Sequence, residues 1–74
     1  MEVYLIERKI HWINDGPYDG FDDNGNEIWW LVATIEEGDE VFQEELYFTN
    51  LNDCFEFKKT VNGQLQPLIM KEED

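Results

Sequence analysis

Serine is absent from this 74-residue chain, which rules out every serine nucleophile. Cysteine and histidine occur once each, as Cys54 and His11. A lone thiol forms no internal disulfide, no CxxC redox pair and no zinc knuckle. The fold must therefore stand without covalent staples, as expected in a reducing cytoplasm. The longest apolar stretch, Ile28 to Ile35, falls far short of the ~20 residues that cross a bilayer. The start, Met1-Glu2-Val3-Tyr4, lacks the basic and apolar regions of a secretory signal. The phosphate-cradling patterns GxGxxG and GxxxxGK[ST] are missing. Positive charge is scarce as well: five Lys and Arg stand against eighteen Asp and Glu. The pairs Arg8-Lys9 and Lys58-Lys59 read as solvated side chains or as local partners for nearby acids. These absences argue against an enzyme, a cofactor, a membrane anchor and direct nucleic-acid binding, since anionic lipid and nucleic acid repel a chain of this sign.

What is present is negative charge and aromatic bulk. The formal net charge is −13, and 15% of the residues are aromatic, Trp12, Trp29 and Trp30 among them. Like charge at this density destabilises a compact state through self-repulsion. Each buried aromatic offsets part of that cost by removing roughly 150–250 Å² from water. The apolar content is that of a folded domain and not of a disordered acidic tail.

The order of elements is legible from periodicity and turn chemistry. Residues 3–13 read as a strand, with Tyr4, Ile6, Ile10 and Trp12 on one side at period two and Arg8 as the exception. Residues 14–26 are crowded with Gly, Pro, Asn and Asp and read as a long loop ending in a turn at Asn24-Gly25. Ile28 to Ile35 is a strand apolar on both faces. Gly38-Asp39 centres a hairpin turn leading into Val41–Phe48, whose Phe42, Leu46 and Phe48 alternate with Gln43 and Glu45. Thr49 or Asn50 caps a helix in which Leu51, Cys54, Phe55, Phe57 and Val61 share one arc, closed by Asn62-Gly63. Residues 64–70 form a last strand, confined to an edge by Pro67. The expected fold is α+β: a small antiparallel sheet in the order β-β-β-α-β with one helix packed on one face. Residues 1–70 make a single domain, and 71–74 a frayed acidic tail.

One helix covers one face of a sheet. The apolar residues on the other face are then covered by the 14–27 loop or left for another protein. Cys54 lies in the helix's apolar arc and reads as core, so a Cys/His pair with His11 is not expected. The register Asp15-x-Pro17-x-Asp19-Gly20 imitates part of an EF-hand, but Pro17 and Asn26 stand where calcium ligands belong. Starting from Asp22 puts Glu27 in place of the required glycine. No metal site is expected beyond weak, opportunistic calcium binding.

The acids themselves carry the functional reading. They gather in the loop (Asp15, Asp19, Asp22, Asp23, Glu27), at the hairpin tip (Glu36, Glu37, Asp39, Glu40) and beyond it (Glu44, Glu45). Tyr18, Phe21, Trp29 and Trp30 are the candidate apolar anchors, because charge sets on-rate and specificity while buried aromatics carry affinity. The expected partner is a basic nucleic-acid-binding protein, blocked by mimicry of phosphate charge. In size and charge the chain has the character of an inhibitor that a phage or mobile element directs at a host nuclease, CRISPR complex, glycosylase or polymerase, acting in the host cytoplasm. The alternative is a non-enzymatic structural or accessory subunit, such as a homodimer, that pairs through an apolar strand face or a sheet edge.

Overall fold

Strand character runs further along the chain than its turn residues suggest. The computed structural model describes residues 5–73, with side chains described for residues 7–70. The elements are β1 (Leu5–Phe21), β2 (Glu27–Glu37), β3 (Glu40–Phe48), α1 (Leu51–Asn62) and β4 (Leu68–Glu73). The strands form one antiparallel sheet in the order β3-β2-β1-β4, and α1 packs across one face, mostly over β1. This is the expected α+β fold.

The β2–β3 hairpin follows from its turn. Gly38, with φ +60°, and Asp39 link the paired Glu37 and Glu40. Glycine at the first central position meets the positive φ of a II′-type hairpin. The helix follows from its cap: the Asn50 side chain accepts from the backbone N–H groups of Asn52 and Asp53 at 2.8 and 3.2 Å. Asp53 in the first turn and Lys59 in the last suit the helix dipole.

Three sequence expectations need correction. The segment expected as a long loop, 14–26, is mostly strand: β1 continues to Phe21 and only Asp22–Asn26 turn. Gly16 and Pro17 are absorbed in a register shift between Asp15 and Tyr18, the last of three in β1 after those between Ile10 and Trp12 and between Ile13 and Asp15, whereas Gly20 pairs with Ile28 and Gly25 lies in the turn. Each shift lets β1 carry an extra residue opposite β2 without leaving the sheet. Gly16 sits in the last of them at φ +104°, where an added Cβ would lie 2.7 Å from the Trp30 carbonyl oxygen. No other residue fits there.

The same shifts overturn the shared face assigned to Ile10 and Trp12. Ile10 is 2% exposed and Trp12 50%, because the irregularity at His11 sends them to opposite sides. Tyr4 and the side chain of Ile6 lie outside the described residues. Finally, β4 starts at Leu68 and runs to Glu73, so residues 71–73, expected in a frayed tail, pair with β1. Asp74 lies outside the described residues.

Leu31, Ala33 and Ile35 of β2 and Ile10 and Ile13 of β1 meet Cys54 and Val61 of α1 in the core. Trp29, Phe42, Leu46, Phe48, Phe57 and Leu68 pack around them. Burial pushes the Cys54 thiol up from its ordinary value, as expected for a core cysteine. The helical apolar arc is wider than its contact with the sheet: Leu51 and Phe55 remain exposed. Beyond the last β1–β4 pair, Ile10–Leu68, the side chain of Asn62 takes over as the partner of β1. Its Oδ1 accepts from the Ile13 N–H at 2.8 Å, and its Nδ2 donates to the Ile13 carbonyl at 3.1 Å. Lys58 Nζ donates to the Gly16 carbonyl at 2.6 Å, tying the helix to the glycine shift.

Candidate protein-binding surface

Because β1 is a strand as far as Phe21, the segment expected to fold over the second face is part of the sheet, and among the described residues no loop covers that face. Register places its side chains in rungs across β1, β2 and β3. Tyr18, Trp30 and Tyr47 form one rung. The next is Asp15, Val32 and Glu45, and the third is Trp12, Thr34 and Gln43. The rung after that holds Lys9, Glu36 and Val41.

The aromatic rung is continuous. Ring centroids are 5.9 Å apart from Tyr18 to Trp30 and again from Trp30 to Tyr47, tilted by 31° and 43°. Gly20 leaves room for it, since a Cβ there would come within 3.2 Å of the Trp30 ring. Yet Tyr18 is 41% and Tyr47 60% exposed. Two hydroxyls reach the neighbouring rung: Tyr18 donates to the Asp15 carboxylate, and Tyr47 donates to Glu45 at 3.0 Å. The Tyr18 hydroxyl, with help from the Gly16 N–H, holds the Asp15 carboxyl below its ordinary value. The same bonds raise the Tyr18 and Tyr47 phenols. Asp15 is therefore charged throughout the neutral range.

Not every predicted acid faces outward. Glu37 and Glu44 lie on the helix side and both pair with Arg8, which is the chain's single arginine. Glu36 is engaged by His11 at 2.9 Å and Lys9 at 3.9 Å. Asp19, Asp22, Asp23 and Glu27 cluster at the β1–β2 turn, while Asp39 and Glu40 sit at the β2–β3 turn. These turns lie at opposite ends of β2, whose 11 residues span roughly 33 Å. The acids thus form two poles joined by the Asp15–Glu45 rung. Among the described residues neither Asp15 nor Glu45 is in an ion pair.

Of the predicted anchors, Tyr18 and Trp30 lie together on the open face, and Phe21 stands exposed at the end of β1. Trp29 does not join them; it packs against the core on the helix side. Sequence reasoning missed Tyr47 and Trp12. Tyr47 was within reach, since it continues the parity of Gln43 and Glu45. Trp12 was hidden by the register shift at His11.

The calcium reading loses its geometry, because Asp15 and Asp19 fall on opposite faces of β1, opposite Val32 and Trp29. The Asp22 carboxylate is occupied by the backbone N–H groups of Asn24 and Asn26, both at 2.9 Å. Among the described residues no group of three or more His, Cys, Asp or Glu is placed to hold a metal ion. On the helix side a cleft of about 290 Å³ is lined by Ile10, Ile35, Leu46, Phe48 and Phe57, with Arg8 in its wall turned toward Glu37 and Glu44. No helix among the described residues is long and apolar enough to cross a membrane. No protein-family model, curated protein or solved structure matches this chain.

Proposed function

We propose that this protein is a small, non-enzymatic binding protein that occupies the nucleic-acid site of a basic partner by presenting carboxylates in place of phosphates. The observation that carries the reading is a thin slab, 39 × 33 × 18 Å, with acidic poles at both ends of a sheet whose open face is aromatic. Fixed carboxylates on a rigid sheet produce the long-range field that a phosphate-binding groove is built to attract. The open aromatic face supplies apolar contact area to hold the partner once it has arrived. Suitable targets are nucleases, CRISPR complexes, glycosylases and polymerases, met in the cytoplasm of a host cell by an inhibitor of phage or mobile-element origin.

The test is capture at low ionic strength from bacterial lysate on immobilised protein, followed by elution with a salt step and, separately, with duplex DNA. Basic nucleic-acid-binding proteins should be released by DNA and by raising salt from roughly 0.05 to 0.3 M, where screening becomes strong. Captured proteins that DNA does not displace, held equally at both salt levels, would overturn the proposal.

The exposed Trp12, Val41 and Tyr47 favour a second reading, a homodimer or accessory subunit joined through the open face. It requires self-association that does not weaken as salt rises, since salt screens the repulsion between two copies of net charge −13. Sedimentation at several concentrations separates it from the first.

A further inference from the structure

We infer that the Asp15–Val32–Glu45 rung is a seat for an arginine side chain of the partner; the inference rests on the proposed function and adds the chemistry of recognition. A guanidinium needs a flat aromatic face to stack on and carboxylate oxygens at its edge. The open face carries both chemistries in adjacent rungs, the Tyr18, Trp30 and Tyr47 rings in one and the Asp15 and Glu45 carboxylates in the next. Trp30 closes the rung on one side and Trp12 lies on the other, each about 6–7 Å along the sheet, the spacing of successive same-face residues.

Asp15 and Glu45 flank Val32 on neighbouring strands, so their backbones are about 10 Å apart. Carboxylates that far apart do not bond to each other, and a five-donor fork laid over Val32 is placed to reach between them. Each carboxylate is already oriented by a tyrosine hydroxyl, Tyr18 on Asp15 and Tyr47 on Glu45. One hydroxyl uses only part of a carboxylate's accepting capacity, which leaves oxygen lone pairs for an incoming donor. The charge at the rung is complementary to a cation: among the described residues neither acid is in an ion pair, Lys58 acts on Asp15 only at longer range, and the chain has a net charge of −13. Lysine fits less well, because an ammonium is more strongly hydrated, stacks poorly and offers no planar fork.

The test uses the intact protein with two probes of equal charge, a nona-arginine and a nona-lysine peptide. Backbone amide NMR shifts should map the arginine peptide to Asp15, Trp30, Val32 and Glu45. Arginine should bind about three- to tenfold more tightly than lysine, the size of a partly desolvated cation–π contact. Trp30→Leu should bring that ratio close to one while leaving the lysine affinity nearly unchanged. Tyr47→Thr, at a residue 60% exposed, should reduce the ratio without disturbing the fold, which thermal melting checks for both variants.

Salt-sensitive binding of both peptides with no arginine preference would overturn the seat and leave the proposed function standing. Shifts confined to the turns or to α1 would do the same. Failure of both peptides to bind at low salt would overturn both. A concentration-dependent dimer that Trp30→Leu dissolves would assign the face to a second copy and also overturn the seat.

Discussion

Leu31 and Val32 are neighbours on β2 with similar side chains, yet they lie on opposite faces of the sheet. Leu31 is wholly buried against the core beside α1, whereas Val32 sits between two acid-bearing strands on a face that no helix or loop covers among the described residues. The contrast extends across the sheet. On the helix side, charge is drawn together: Arg8 gathers Glu37 and Glu44. On the open side Lys9 and His11 engage Glu36, while Asp15 and Glu45 take tyrosine hydroxyls instead of a cation. The fate of an apolar strand residue is set by which element crosses its face, and the fate of an acid by whether a cation stands within reach of it. A small chain with one helix must leave one side of its sheet bare, and here that side holds the aromatic rung.

The sharpest way to break this comparison is to substitute both neighbours, shortening the buried one and making the other polar. Leu31→Ala should destabilise the fold by about 3 kcal/mol, while Val32→Thr should change stability by no more than about 0.5 kcal/mol. Chemical denaturation gives both values. Equal losses would mean that the open face is covered in solution.

Gly16→Ala combines a forbidden φ with a Cβ too close to the Trp30 carbonyl and should cost about 2–3 kcal/mol. An unchanged melting temperature would show that the third shift in β1 is not a fixed part of the native strand. Asn62→Ala leaves the Ile13 N–H and carbonyl without their side-chain partner and should cost about 1–2 kcal/mol. Hydrogen exchange at the Ile13 amide should quicken, and an unaltered exchange rate would refute the role given to Asn62.

The smallest effect is on pH dependence. The Asp15 carboxyl is lowered in the folded state, so the stability it adds is present above its ordinary value of 3.8 and fades as pH falls through its depressed folded value. The Tyr18 phenol is raised, so its contribution holds below 10.0 and disappears as pH climbs through its elevated folded value. Tyr18→Phe should move the Asp15 carboxyl toward 3.8 in an NMR titration, remove the Tyr18 contribution and the largest part of the Asp15 one, the Gly16 N–H keeping the rest, and leave stability near neutral pH only slightly lower. An Asp15 titration indifferent to this change would separate the two rungs of the open face.

Much of the fold was legible because it is set locally. Asn50 as cap, Gly38 at the hairpin turn and the alternation of β3 each depend on residues close in sequence, whereas Pro67, expected inside the last strand, stands just before β4. The candidate surface was legible in part: Tyr18, Trp30, Asp15 and Glu45 were singled out, though as members of separate groups. Their assembly depends on register, and register depends on where β1 takes in extra residues. Asn14, Gly16 and Pro17 signal a break in regular structure, but the same composition suits a loop or a set of shifts in a paired strand. Pairing with β2 and the two helix contacts, from Asn62 and Lys58, decide for the strand.

The sequence by itself determined the order of elements, the identity of the helix and the excess of negative charge, because propensity, capping and composition are properties of short segments and sums. Only the tertiary structure decided which face each side chain joins: Trp12 opposite Ile10, Trp30 outward and Trp29 inward, and Asp15 beside Glu45. A one-residue shift reverses the facing of every side chain that follows it, and only the partner strand establishes where such a shift occurs.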